Sequence, residues 1–191
     1  DIVASEFQKA GFTPADTQTG AVVITGESAR KENSALVLEK LSDFAGEFVV
    51  STAGPDLESV IAGKGSGAQS FSEENACVAV NLDIGGGTTN VVVFDCGKVV
   101  AKGCVDIGGR QIKLSSDYAV AYISPSANLI AEKLGLSIEV GKKTDKAEVF
   151  KICSEMAHLL EQMLGVYEQT DLLRQITTHG SSDFNLSKPI R

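Results

Sequence analysis

The sequence predicts an α/β fold with mixed sheets flanked by helices, on three observations. Short β-branched runs alternate with amphipathic helical segments through the first third. Residues 77–105 then form a succession of apolar strand-like runs joined by turns, and residues 145–164 carry one long apolar stripe at helical spacing. Alternation calls for helices that cover a sheet, whereas consecutive runs joined by tight turns call for antiparallel pairing.

The elements follow in order. Val3, Phe7 and Ala10 share a helical face that Gly11 ends, so the chain opens within a helix and reads as an interior piece of something longer. Ala21–Thr25 is a strand followed by a turn at Gly26 and a helix over 33–44, in which Val37, Leu41 and Phe44 form the apolar face. Phe48–Ser51 is a second strand. Pro55 then opens a helix, since its missing amide hydrogen is unpaired at the first helical position anyway, and Leu57, Val60 and Ile61 are the expected buried stripe.

Glycines 63, 65 and 67 punctuate the end of that helix, and Gly63-Lys64-Gly65-Ser66-Gly67 reads as a flexible helix end because a phosphate loop would follow a strand. The polar stretch Ser70–Asn75 suggests a crossing between lobes, which divides the chain into a partial first lobe, 1–74, and a second lobe, 75–191. Strands are expected at Cys77–Asp83, Thr88–Phe94 and Val99–Val105, the last two joined by a hairpin at Asp95-Cys96-Gly97-Lys98. Beyond Gly109 come a strand at Tyr118–Ile123 and a helix at Asn128–Leu134 stopped by Gly135. A helix over Asp145–Leu164 follows, with Asp145 and Glu148 in capping-box relation and Val149, Ile152, Met156, Leu160 and Met163 as its stripe. His158 falls on the opposite face with Lys151, Glu155 and Gln162 and is expected in solvent, and the polar tail from Thr177 is expected to be partly disordered.

Composition excludes several functions. With 43% hydrophobic and 22% charged residues, the 191-residue chain has the usage of a folded globular protein. Its net charge of −8 repels phosphate backbones and anionic lipid, so neither nucleic acid nor membrane is an expected partner. No apolar run reaches the roughly 20 residues of a membrane span, and no signal-peptide layout opens the chain, so the expected setting is the cytoplasm. The four cysteines, Cys77, Cys96, Cys104 and Cys153, lack zinc-site spacing, and an extended strand would part Cys96 from Cys104 by roughly 20 Å, too far for a disulfide.

The chemistry concentrates in Asn81–Asp95, a strand, the turn Gly85-Gly86-Gly87 and a second strand. A phosphate group needs several backbone amides turned towards it, and a side chain in the turn would block that approach or forbid the required dihedrals. Thr88 and Thr89 offer hydroxyl donors at the rim, and Asp83, at the strand end, offers a carboxylate for a hydrated magnesium ion or an attacking water. A carboxylate bare beside phosphates would repel them, which implies the metal. There is no G-x-x-x-x-G-K-[ST], and a dinucleotide fingerprint would need glycine at Asn90 with a helix after it, where Thr89–Phe94 is strand-like instead. Thr25-Gly26-Glu27-Ser28 stands either where open α/β sheets place ligands or as a plain helix cap, and Asp106 with Gly108-Gly109 reads as a tight turn with a cleft-facing role open to it.

The Asp83 to Asn90 segment resembles the second phosphate motif of the actin, sugar-kinase and chaperone ATPase superfamily. The wording Ala53-Gly54-Pro55-Asp56-Leu57-Glu58-Ser59-Val60-Ile61-Ala62-Gly63, together with Ile24–Ala29, Asn33 and Gly108-Gly109-Arg110, resembles more narrowly the ethanolamine ammonia-lyase reactivating factors, over roughly residues 1–165. The resemblance implies ribonuclease-H-like lobes, here incomplete, with ATP and Mg2+ as cofactors of a full-length protein. It implies an ATP-dependent, chaperone-like factor that exchanges damaged cobalamin on an adenosylcobalamin-dependent lyase, its partner; a homo-oligomer and a bacterial microcompartment setting stay open. By the same resemblance Gly85, Gly86, Gly87 and Thr88 hold phosphate, Asp83 holds the magnesium-bound water, and Thr89, Asn90, Gly108 and Gly109 complete the nucleotide-contacting set. ATPase activity is expected of the full-length protein and not of this piece alone.

The chain departs from the superfamily pattern at Gly54, where chaperone ATPases often carry Glu before the helix-opening proline, and at Asn90, where Asp is common. The first phosphate hairpin is expected upstream of Asp1 and the adenosine-binding segment beyond the second lobe. Two rival readings share the superfamily: an actin-like filament or scaffold in which ATP controls assembly, and a small-molecule kinase in which Asp83 acts as base towards a substrate hydroxyl.

Overall fold

The computed structural model describes residues 2–16, 20–24, 36, 48–52 and 54–178. They form two compact units, 1–54 and 55–191. In the first, helix α1 (Ile2–Ala10) ends at Gly11, whose φ of 76° takes the chain out of the helix, and a 3-10 turn follows at Pro14–Asp16. Strands β1 (Gly20–Ile24) and β2 (Phe48–Thr52) pair in parallel, as a β-α unit requires. The helix expected over 33–44 lies outside the described residues apart from Leu36, which is helical. Gly26–Ser28 also lies outside them.

The second unit opens with helices α2 (Pro55–Gly65) and α3 (Ala68–Glu74). Strands β3 (Val78–Ile84), β4 (Thr89–Asp95) and β5 (Lys98–Val105) then form an antiparallel sheet in sequence order. The polar stretch Ser70–Asn75, expected as a crossing, is the body of α3. Buried Ser72 explains why: its hydroxyl donates to the Cys77 carbonyl at 2.6 Å and accepts from the Gly97 amide at 3.1 Å, tying the helix to the β4–β5 turn. Both helices pack on this sheet, so the compact unit starts at Pro55, whereas the sequence reading divides the chain at 74/75. In that turn Cys96 and Gly97 both take positive φ, 49° and 78°, the geometry whose twist suits a two-residue hairpin.

The buried face of α2 corrects the sequence reading. Leu57 and Ile61 are 54% and 57% exposed, while Ser59 is fully buried. Gly63 lies so close to β4 that a Cβ there would stand 2.4 Å from Val92 Cγ1 and 2.7 Å from Phe94 Cε2. Small residues one turn apart let the helix approach the sheet closely, and that contact outweighs burial of the larger side chains opposite.

Strand β4 is buried on both faces. Val92 and Phe94 meet α2, and Val91 and Val93 enter a core shared with Val105, Ile107, Ile130, Ile152 and Leu159. Helices α4 (Pro125–Lys133), α5 (Lys146–Met163) and α6 (Asp171–Ile176) supply most of that core, with Val78, Val120 and Ile138 from outside them. The hairpin β6 (Ile112–Leu114) and β7 (Val120–Ile123) lies between β5 and α4, and β6 was not expected from the sequence. The capping box of α5 forms as expected, Glu148 N donating to Asp145 Oδ1 at 2.8 Å. Gln162, expected in solvent, is buried and accepts from the amide and hydroxyl of Thr170, the N-cap of α6. His158 is half-buried against Tyr167, with ring centroids 4.8 Å apart. Thr178 pairs with β5 through Cys104 O, and residues 179–191 of the expected disordered tail lie outside the described residues.

Candidate functional site

The glycine turn joins β3 to β4 and meets a second turn, residues 106–111. Gly85 O accepts from Gly109 N at 2.9 Å, Gly86 O accepts from Arg110 N at 2.8 Å, and Gly87 O accepts from Gln111 Nε2 at 2.5 Å. All described peptide bonds are trans, and in a planar trans peptide the carbonyl and the following N–H point in opposite directions. Three consecutive carbonyls drawn towards residues 109–111 therefore turn the N–H groups of Gly86, Gly87 and Thr88 the other way. Those three amides donate to no described residue.

This arrangement refines the expected donor set. Gly85 N is spent within the turn, donating to Thr88 O at 2.8 Å, so the outward run begins one residue later and ends at Thr88. None of the glycines at 85, 86, 87, 108 and 109 sits at left-handed φ, so the turn does not need them for their dihedrals. Gly108 is needed for approach: a Cβ there would stand 2.6 Å from Gly86 C and O and 2.7 Å from Gly87 N. Gly109 is looser, its nearest neighbour for such an atom being Gly85 O at 3.8 Å.

The side chains divide into two groups. Thr89, expected as a rim donor, is fully buried and gives its hydroxyl to Ile107 O at 2.7 Å; Thr88 is also buried. The β-branched strand turns Thr89 inward because the pleat places it on the same face as core residues Val91 and Val93. Asp83, Asn90 and Cys104 stand directly opposite one another across β3, β4 and β5, and a shared pleat puts them on one face. Asp83 is exposed. Asn90 is 3% exposed, and its Oδ1 has no hydrogen-bond partner among the described residues, the one buried side-chain oxygen or nitrogen there so left. A buried amide oxygen without a donor costs about 1–3 kcal/mol, so it marks a place where a donor from outside the chain would be favoured.

A phosphorylated ligand with a hydrated cation fits these groups: outward amides for the anion, an open carboxylate for the cation's waters, and an amide oxygen ready for a donor. No cluster of three His, Cys, Asp or Glu able to hold a bare metal occurs among the described residues, so a cation here would keep most of its water, as magnesium does. Gly54 leaves no carboxylate ahead of α2, and Glu58 lies one turn inside the helix. None of the four cysteines, all of them described, forms a disulfide. No described helix is long and apolar enough to cross a membrane.

Sequence reasoning missed Gln111. Its buried carboxamide donates to Gly87 O and, at 3.4 Å, to Asp106 O, and its Oε1 accepts from the hydroxyls of Ser124 and Ser126. Ser124 also caps α4, accepting from Ala127 N at 3.1 Å. An isolated glutamine carries no periodic or motif signal, and only the fold brings its partners together.

Comparison with known proteins bears on the same region. The chain is 38% identical over 163 residues to the ethanolamine ammonia-lyase reactivase EutA of Salmonella typhimurium, and 38% identical over 164 residues to the protein of that name in Escherichia coli. The alignment takes in 85% of this chain and 35% of each relative, so the chain spans about a third of the length of the curated relatives it matches. Among solved structures it aligns with the Ppx/GppA family member of Aquifex aeolicus at 18% identity and a TM-score of 0.48, over 87% of this chain and 44% of that one. Residues 1–189 match the family model for the ethanolamine utilisation protein EutA, and the chain belongs to that family.

Proposed function

We propose that this chain provides one phosphate-contacting lobe, with part of another, of an ATP-dependent reactivating factor for adenosylcobalamin-dependent ethanolamine ammonia-lyase. The lobes are of the ribonuclease-H-like, actin-type kind, and the factor works as a chaperone that releases damaged cobalamin so that intact cofactor can enter. The observation that carries the nucleotide reading is the set of three peptide planes at 85–88, whose carbonyls are held inward and whose N–H groups are left outward. Membership of the family and the reactivase name of the relatives support the choice of partner.

In this reading the amides of Gly86, Gly87 and Thr88 receive phosphate oxygens. Asp83 would hold the water of a bound magnesium ion, and the unpartnered Asn90 Oδ1 would accept a hydrogen bond from the ligand or its water. Magnesium, when bound, supplies neutralising charge on the phosphates. Gly108 and Gly109 contribute through the backbone of the second turn, which packs against Gly85 and Gly86. The factor works in the cytoplasm, where a bacterial microcompartment housing the lyase is a natural setting.

The test uses full-length protein and lyase inactivated with cyanocobalamin. Asp83 is exposed and makes no described ion pair, so Asp83→Ala should abolish ATP-dependent recovery while leaving thermal stability unchanged. Normal recovery by that variant refutes its assigned role. Lyase-independent, nucleotide-driven pelleting would favour a filament instead, and phosphorylation of a small hydroxylated substrate would favour a kinase.

A further inference from the structure

We infer that Gln111 is the positioning residue of the phosphate turn, holding the Gly87–Thr88 peptide so that the Thr88 amide faces the ligand. The inference rests on the nucleotide reading above and adds to it a residue outside the glycine motif. Of the three carbonyls drawn inward, Gly85 O and Gly86 O are held by the main-chain amides of Gly109 and Arg110, which no substitution but proline removes. Gly87 O is held by a side chain, Gln111 Nε2. The Thr88 N–H lies on the other side of that same peptide plane, so a rotation that freed Gly87 O would carry the amide off its direction with it.

The carboxamide is itself held in one orientation. Its oxygen accepts from Ser124 and Ser126, and hydroxyls reaching it there leave the nitrogen facing Gly87 and Asp106. Neither a shorter side chain nor one with a single polar atom could span Gly87 and the start of α4 while serving both. The glycine at 87 needs this restraint: without a Cβ its backbone has more freedom than any other residue, and a loop amide that must find its direction on binding loses affinity to that entropy.

The experiment compares variants in the full-length protein, with ATP–Mg2+ binding followed by calorimetry and folding by thermal melts. Gln111→Glu keeps the oxygen for Ser124 and Ser126 and removes the donor to Gly87. Gln111→Met removes the donor without adding charge, and either variant alone carries the test if the other does not fold. Gln162→Leu is the matched control: it removes another buried carboxamide, whose partner is Thr170, and leaves Gln111 and Gly87 untouched. The expected result is a Kd for ATP raised about tenfold in the Gln111 variants and changed less than about twofold in Gln162→Leu, even where their melting temperatures fall equally. Hydrogen exchange should show ATP slowing the Thr88 amide in wild type and no longer doing so in the folded Gln111 variants. Wild-type affinity in the Gln111 variants, or an equal loss in Gln162→Leu, overturns the positioning role alone. Failure of wild-type protein to bind ATP overturns both this role and the nucleotide reading.

Discussion

One methyl group at Gly108 separates a turn that needs glycine for close approach from one that merely tolerates it. In Gly108→Ala the new Cβ would lie 2.6 Å from Gly86 C and O and 2.7 Å from Gly87 N, all backbone atoms with no rotamer to yield. Carbon contacts settle at about 3.5–4.0 Å, so the two turns must part by roughly 1 Å. The bonds Gly109 N to Gly85 O and Arg110 N to Gly86 O, at 2.9 and 2.8 Å, would then stretch out of range. Overpacking costs about 1–3 kcal/mol and each of the two lost bonds about 1 kcal/mol, which sums to roughly 3–5 kcal/mol. At an m-value of about 2 kcal/mol/M the urea midpoint should fall by more than about 1 M. Gly109→Ala is the internal control, since its Cβ meets nothing nearer than 3.8 Å and its φ is not left-handed, so it should be neutral or slightly stabilising. ATP binding should weaken in the first variant and hold in the second. An unchanged midpoint in Gly108→Ala, or equal damage from the two substitutions, would refute the close-approach argument.

Three further predictions follow from the same geometry. Thr89→Val removes a buried hydroxyl from Ile107 O and should cost about 1–2 kcal/mol in chemical denaturation while leaving ATP affinity intact; lost affinity would return Thr89 to the rim of the site. Gly63→Ala should destabilise by about 1–3 kcal/mol although alanine is the better helix former, because the methyl group meets Val92 and Phe94, and a gain in melting temperature would sink the packing assignment. The Asp117 carboxyl titrates below its ordinary range, held there first by the Ser115 hydroxyl and then by Lys143. A carboxylate lowered on folding adds stability above its unfolded pKa and loses it as pH falls through the folded value, so Asp117→Asn should flatten the acid side of the stability–pH curve without changing ATP affinity. An acid limb identical to wild type would remove that contribution.

What the sequence made legible and what it concealed differ by the range of the interaction. Strand limits in β3–β5, the Cys96-Gly97 turn and the Asp145–Glu148 cap are local matters, set by alternation, turn chemistry and a three-residue spacing, and each was readable within a short window. The buried face of α2 was not, because helical spacing identifies faces without saying which one a sheet will accept; Leu57 and Ile61 looked like the stripe, while Ser59 and Gly63 allow the closer approach. The glycine turn shows the same limit at the site. Its residues announced a phosphate loop, and Asp83 and Asn90 fell into one cross-strand row as the two strands require. Yet which amides face outward was decided elsewhere, by Gly109, Arg110 and Gln111 pulling on the carbonyls behind them. A glycine-rich turn is permissive by itself, and a permissive backbone acquires a direction only from what holds it. The chemistry of residues 85–88 is therefore a property of two turns together, and the second of them, through the Gln111 carboxamide, is where substitutions should alter nucleotide binding without touching the motif.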